Sequence, residues 1–192
     1  MDKERIFIEI LGLQHFCIKA KNPIEALKQN YSLSNLSDIQ IVNKIDWGFI
    51  YKQDGDRKNF ILLPELNDWS YFIWDHWDFN ANLNFAKELS EILQTSVNYY
   101  FVDSYIATSR WIFANEGLIT RAYFESHGQK IFDAGFNETE NNLRANIDET
   151  FVEDLFWELY EKTCVSLEYV NKQNRTKLEL YTGTFDGNKK NI

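Results

Sequence analysis

Apolar residues along this chain follow two rhythms. The runs DIQIV, DWGFIYKQ, RKNFILLPEL and DWSYFIW, from Asp38 to Trp74, are short and rich in β-branched and aromatic residues. They predict strands, with DGD at 54–56 as a tight turn between the second and third. VNYYFVD, SRWIFANEG, LITRAYFES and QKIFDAG follow at close spacing, separated at NEG and SHG, and predict an antiparallel meander. In LITRAYF, simple alternation puts Leu118, Thr120, Ala122 and Phe124 on one face and Ile119, Arg121 and Tyr123 on the other. Neither face is purely polar, so the sheet is expected to be covered on both sides.

The second rhythm is helical. NANLNFAKELSEILQ sets Phe85, Leu89 and Ile92 at i, i+4 and i+7, which predicts a helix over about 82–94. TFVEDLFWELYEK opens with Thr150 three residues before Glu153, a capping-box spacing, and carries Val152, Leu155, Phe156 and Leu159 as one apolar stripe. An acidic amphipathic helix over 148–162 follows. NPIEALKQ, with Pro23 near a first-turn position, reads as a short helix, whereas RIFIEILGL fits a strand or a helix equally. VSLEYV and KLELYTGTF predict a hairpin within 163–192 that ends in a frayed tail, DGNKKNI. The expected fold is α+β, mainly an antiparallel meander with two principal helices packed on it. No repeat or linker interrupts it, so residues 1–192 read as a single domain with a β-rich centre at 38–135.

Composition narrows the classes of function. The chain carries a net charge of −9, and residues 133–161 hold nine acidic side chains against one basic, Arg144. Phosphate backbones are repelled by such a surface, which disfavours nucleic acid as a partner, while a basic protein would be attracted and steered. No run approaches the ~18 apolar residues of a spanning helix, and no secretory leader is apparent, so a soluble cytoplasmic protein is expected without membrane contact. Cys17 and Cys164 are far apart and in no metal-ligand spacing. A disulfide between them is possible, but two isolated thiols is the simpler reading in a reducing compartment.

Catalytic signatures are sparse. The segment DWSYFIWDHWDFN, Asp68–Asn80, packs three tryptophans, three aspartates and a histidine together. His76 and Asp78 supply at most two metal ligands on one face, and a metal site needs three or more. The alternative is that the strand leaves the sheet here, Trp69 and Trp74 enter the core, and the aspartates cap the next helix. His15 and Cys17 would share a strand face but have no third group to orient them. Phosphate-binding loops and nucleophile elbows are absent. No catalytic residue, metal or cofactor is therefore expected.

The acidic helix is more informative. At roughly 100° per residue, with Val152 at the centre of the buried face, Glu153, Asp154, Glu158 and Glu161 occupy the far side, and Trp157 falls among them. An aromatic ring amid charges is the composition of a binding hot spot. The plainer alternative is that neighbouring chain folds over Trp157, since tryptophan is buried on average.

LPELNDWSYFIW, then a helix, then YYFVDSYIATSRWIFANEGLITRAYFESHGQKIFDAGFNETE resembles a group of bacterial proteins. Those carry a P-x-x-x-G-W strand, a helix, and a W-x-x-x-x-x-G-x-x-x-R-A-[FY] meander. The matching positions are Pro64, Trp69, Phe101, Trp111, Gly117, Arg121, Ala122, Tyr123, Gly128 and Gly135, while Asp68 stands where the pattern has glycine. That departure puts a close turn there in question. The resemblance implies an immunity or accessory protein of a bacterial toxin system, with no catalytic residues to transfer. Arg121, the polar motif position inside a strand, is expected to pair with a carboxylate rather than make a functional contact.

Together these readings predict a non-catalytic protein-binding protein. In the most specific form it is an immunity protein that neutralises a toxin domain with a basic surface through Glu153, Asp154, Trp157, Glu158 and Glu161. One alternative is a small enzyme with a site near Asp75, His76 and Asp78. Another is a module that accepts a peptide along a free sheet edge.

Overall fold

The computed structural model describes residues 14–42, 47–52, 57–146, 152–164 and 178–189. In chain order these form β1 (His15–Ile18), α1 (Ile24–Asn30), β2 (Tyr31–Ser34), β3 (Gln40–Val42), α2 (Trp47–Tyr51), β4 (Lys58–Leu66) and β5 (Trp69–Trp74). There follow α3 (Phe79–Leu93), β6 (Ser96–Asp103), β7 (Thr108–Asn115), β8 (Leu118–Ser126), β9 (Gln129–Gly135), α4 (Glu138–Arg144), α5 (Val152–Thr163) and β10 (Leu178–Lys189). The strands make one ten-stranded sheet in the order β2-β10-β4-β5-β1-β6-β7-β8-β9, with β3 also on β10. Each pairing is antiparallel. The fold is α+β, and the expected meander is its β6–β9 half.

Both faces of this sheet are core, which explains the unbroken apolar runs in the sequence. Along β4, Phe60 and Leu62 join one apolar cluster while Ile61 and Leu63 join the other. The same alternation runs through Tyr71, Phe72, Ile73 and Trp74 of β5 and Trp111, Ile112, Phe113 and Ala114 of β7. On one face α1 and α3 supply Ile24, Leu27, Phe85, Ala86 and Leu89. On the other, α5 supplies Leu155, Phe156, Leu159 and Tyr160, flanked by Ile50 of α2 and Leu143 of α4.

Several expectations change in three dimensions. The described part of DWGFIYKQ is not a strand: residues 47–51 are helical, Ile50 is buried, and the Asn59 side-chain amide donates to the Phe49 and Lys52 carbonyls at 2.7 and 2.6 Å. Satisfying those terminal carbonyls from β4 favours a helical turn over the strand that the aromatic composition suggests. The stretch after β9 holds α4, capped by Asn137, whose side chain accepts from the Glu140 amide at 2.9 Å. Simple alternation also fails in β8, where a bulge between Arg121 and Ile119 opposes Phe113 and Ala114 of β7. Ile119 consequently packs with Ala122 and Phe124.

The hairpin turns are well formed. Asn67–Asp68, Glu116–Gly117 and His127–Gly128 all have positive φ at both positions, the mirror-type turns that suit two-residue hairpins. The turn at Asp68 is therefore present without glycine. LELYTGTF, residues 178–185, lies inside the sheet between β2 and β4, and β10 runs on to Lys189, opposite Tyr31, instead of fraying after Phe185. RIFIEILGL, the DGD turn and the predicted strand VSLEYV lie outside the described residues.

Candidate functional site

The segment that links β5 to α3 leaves the sheet as its sequence suggested. Trp74 is buried, and Asp78 caps α3 by accepting from the Asn80 amide at 2.9 Å. Asn82, one turn into α3, is buried and fixes the bend. Its amide nitrogen donates to the His76 carbonyl at 2.7 Å, and its oxygen accepts from the Trp74 indole at 3.0 Å. Trp69 is half-buried at the edge of the opposite cluster.

Trp77 is what this bend exposes. Its side chain is 51% accessible, between Asp75 and Asp78 in sequence, and its ring meets Phe101 edge-on at 5.3 Å. Beneath it lies Arg110, 8% accessible, which donates from Nη1 to the Trp77 carbonyl at 2.9 Å. The guanidinium rests over Phe124 at 4.2 Å, Phe101 at 5.4 Å and Trp77 at 5.9 Å, so aromatic faces surround its charge. Phe79 then bridges Phe124 and Phe132 at 5.3 and 5.5 Å. The run Trp77–Phe101–Arg110–Phe124–Phe79–Phe132 forms a shelf at one end of the meander. Separately, the turn after β6 holds Tyr105, fully exposed, and Ile106, both fixed by Asp103, whose carboxylate accepts from their amides.

The acidic helix is less open around its tryptophan. Asp154 and Glu158 are exposed and Glu161 is half-buried. Trp157 is half-buried as well, edge-on to Phe156 at 5.1 Å and to Tyr160 at 6.4 Å, and it packs on the core cluster beneath α5. The Glu153 side chain lies outside the described set.

Arg121 is held inside the fold. It donates from Nε and Nη2 to the two oxygens of Glu140, each at 2.7 Å, and from Nη1 to Asp133 at 2.5 Å. Glu140 also accepts from the Trp111 indole and from Arg144, both at 2.9 Å. Burial alone would raise the Glu140 pKa, but its hydrogen bonds from Arg121 and Trp111 outweigh burial and hold it below the usual carboxylate value. The network fastens α4 to β7–β9, as the carboxylate pairing of Arg121 anticipated.

The enzyme alternative meets a half-buried His76 whose ring lies tilted against Trp74 at 5.1 Å. Burial, then the nearby Lys58 charge, lowers its pKa, although Asp78 and Asp75 pull it the other way. Asp78 is already engaged as the helix cap. A cleft of about 440 Å³ lies elsewhere, lined by Lys19, Trp69, Asn98, Thr120, Lys162 and Cys164 among others. Among the described residues, no group of three or more His, Cys, Asp or Glu side chains is placed to hold a metal ion. Also among them, no helix is long and apolar enough to cross a membrane.

Sequence reasoning singled out Trp157 and passed over Trp77, Tyr105 and Arg110. A signal for Trp77 was present: it sits between two aspartates at a strand-to-helix junction, without the helical stripe that gives Trp157 a neighbouring core. Nothing local marked Arg110, whose surroundings come from three separate segments, at Trp77, Phe101 and Phe124. No protein-family model, curated protein or solved structure matches this chain.

Proposed function

We propose that this chain is a non-catalytic protein-binding protein that receives a basic partner on an aromatic surface rimmed by carboxylates. The observation that carries the reading is Trp77: a half-exposed indole between Asp75 and Asp78, backed by the Arg110 shelf. A large ring left in water stabilises little in the free fold, whereas rigid aromatic anchors supply much of the energy of protein interfaces. The net charge of −9 selects for a cationic partner and speeds its encounter at low salt. The exposed Asp154 and Glu158 beside Trp157 offer a second acidic face to the same class of partner. In its most specific form, supported by the sequence resemblance, the reading is an immunity protein that covers the basic cleft of a nucleic-acid-degrading toxin in the cytoplasm.

Affinity purification from the native host tests this reading, with a photo-crosslinker placed at position 77 or 157. The expected result is crosslinking at 77 to a protein of basic isoelectric point, released by rising salt and lost in the Trp77→Ala variant. Unchanged capture in both Trp77→Ala and an Asp154→Lys/Glu158→Lys variant would overturn it. Crosslinking at 157 alone would move the docking surface to α5.

A further inference from the structure

Cys17 and Cys164 come from β1 and from the residue just after α5, and the fold brings them together. Cys17 is fully buried and Cys164 is half-buried, and both are free thiols. Cys17 belongs to the apolar cluster beneath α5, and Cys164 packs against the same cluster. A chain of hydroxyls also links them: Cys17 Sγ to Tyr160 Oη at 3.9 Å, Tyr160 Oη to Tyr71 Oη at 3.3 Å, and Tyr71 Oη to Cys164 Sγ at 3.5 Å. The His15 ring closes the group, 5.9 Å from Tyr71 and 5.7 Å from Tyr160. The two thiols differ in one respect that decides their chemistry. Cys164 is half-buried and among the residues that line the 440 Å³ cleft, beside Lys19 and Lys162, while Cys17 is sealed from solvent.

We propose that Cys164 and Cys17 form a peroxide-responsive pair that oxidises to an intramolecular disulfide, with Cys164 as the attacking thiol and Cys17 as the resolving one. The Cys164 sulfur, as thiolate, attacks one oxygen of hydrogen peroxide; the O–O bond breaks, the departing oxygen leaves as water, and Cys164 becomes a sulfenic acid. The Cys17 sulfur then attacks the sulfenic sulfur. Its S–O bond breaks, a second water leaves with the Cys17 proton, and the S–S bond forms. Two sulfurs are oxidised and the peroxide is reduced to two waters. Burial, the largest influence on Cys17, pushes its pKa well above the ordinary value, as suits a thiol kept from direct attack on peroxide. The bond would tie the first described strand to the end of α5 and close a long loop, restraining the unfolded chain.

The test uses the full reduced chain treated with stoichiometric hydrogen peroxide, followed by intact mass and non-reducing peptide mapping. The expected product is a monomer lighter by about two hydrogens, with one linked peptide containing Cys17 and Cys164 and a higher Tm that returns to the starting value on reduction. In Cys17→Ala, Cys164 is expected to accumulate as a sulfenic acid trapped by dimedone. In Cys164→Ser, Cys17 is expected to stay unmodified under the same treatment. Wild type that stops at oxidised Cys164 without the linked peptide, or that yields only intermolecular dimers, would overturn the proposal. These measurements need no binding partner, so they stand apart from the docking reading.

Discussion

Arg121 and Glu140 grip each other through two parallel hydrogen bonds of 2.7 Å, with Glu140 1% and the Arg121 side chain 7% accessible. The pair joins the meander to a helix that begins three residues after the last strand ends. Planar guanidinium matched to planar carboxylate gives this joint a single geometry. Its surroundings complete it: Trp111 stacks on Tyr123 at 4.2 Å, and Arg144 lies over Tyr123 at 4.8 Å.

Removing one partner leaves the other charged and buried. Glu140→Gln is expected to destabilise the chain by about 3–5 kcal/mol, read as a lower midpoint in urea unfolding. Glu138→Gln, on the exposed first turn of the same helix, is expected to stay within about 0.5 kcal/mol of the parent. Equal effects would mean that the joint contributes nothing special.

The same pair sets a pH dependence. Glu140 has a folded pKa below its ordinary 4.5, and Asp133 is lowered below its ordinary 3.8 despite the opposing effect of burial, chiefly through Lys130 and Arg121. A depressed carboxylate stabilises the fold above its unfolded pKa, and that contribution disappears as pH falls through the folded value. Thermal unfolding is expected to show Tm steady above about pH 5 and falling below about pH 4.5. In Glu140→Gln the acid slope should be shallower.

Gly135 and Gly128 both have positive φ, at +80° and +71°, yet they are not equivalent. A Cβ at Gly135 would lie 2.2 Å from the Thr120 carbonyl oxygen, whereas nothing lies within 4 Å at Gly128. Gly128→Ala is expected to cost about 1–2 kcal/mol from backbone conformation alone. Gly135→Ala is expected to cost clearly more and to weaken the Phe136 amide bond to Thr120, 2.9 Å long. Hydrogen exchange at Phe136 reports that local loosening.

Trp77 and Trp157 should separate binding from stability. Trp77→Ala is expected to shift unfolding by under about 1 kcal/mol while weakening partner affinity by about tenfold or more. Trp157→Ala, which loses contacts with Phe156 and Tyr160, is expected to cost about 1–3 kcal/mol of stability. Calorimetry of the purified complex alongside thermal melts distinguishes the two, and the opposite pattern would put the anchor on α5.

Much of the fold was legible because its signals are local. Alternation of period two marked the β6–β9 strands, the Phe85–Leu89–Ile92 spacing marked α3, and the glycines of NEG and SHG marked the turns at Glu116–Gly117 and His127–Gly128, whereas the turn at Asn67–Asp68 was in question until the backbone showed it. The capping role of Asp78 was readable for the same reason, since donor and acceptor lie two residues apart. Asn137 followed by Glu140 carried an equivalent signal for α4. The short helix at 47–51 escaped, because its terminal carbonyls are satisfied by Asn59 of another element.

By itself the sequence determined strands, turns, helix stripes and the excess of negative charge, all properties of neighbours along the chain. Only the tertiary structure decided that β10 inserts between β2 and β4, that Arg121 closes on Glu140, that Tyr160 and Tyr71 link Cys17 to Cys164, and that Trp77 is the half-exposed indole while Trp157 leans on the core. Residue spacing sets which way a side chain leaves its own element. What waits on the other side depends on how distant segments close over one another, and that is settled by burying both faces of the sheet at once.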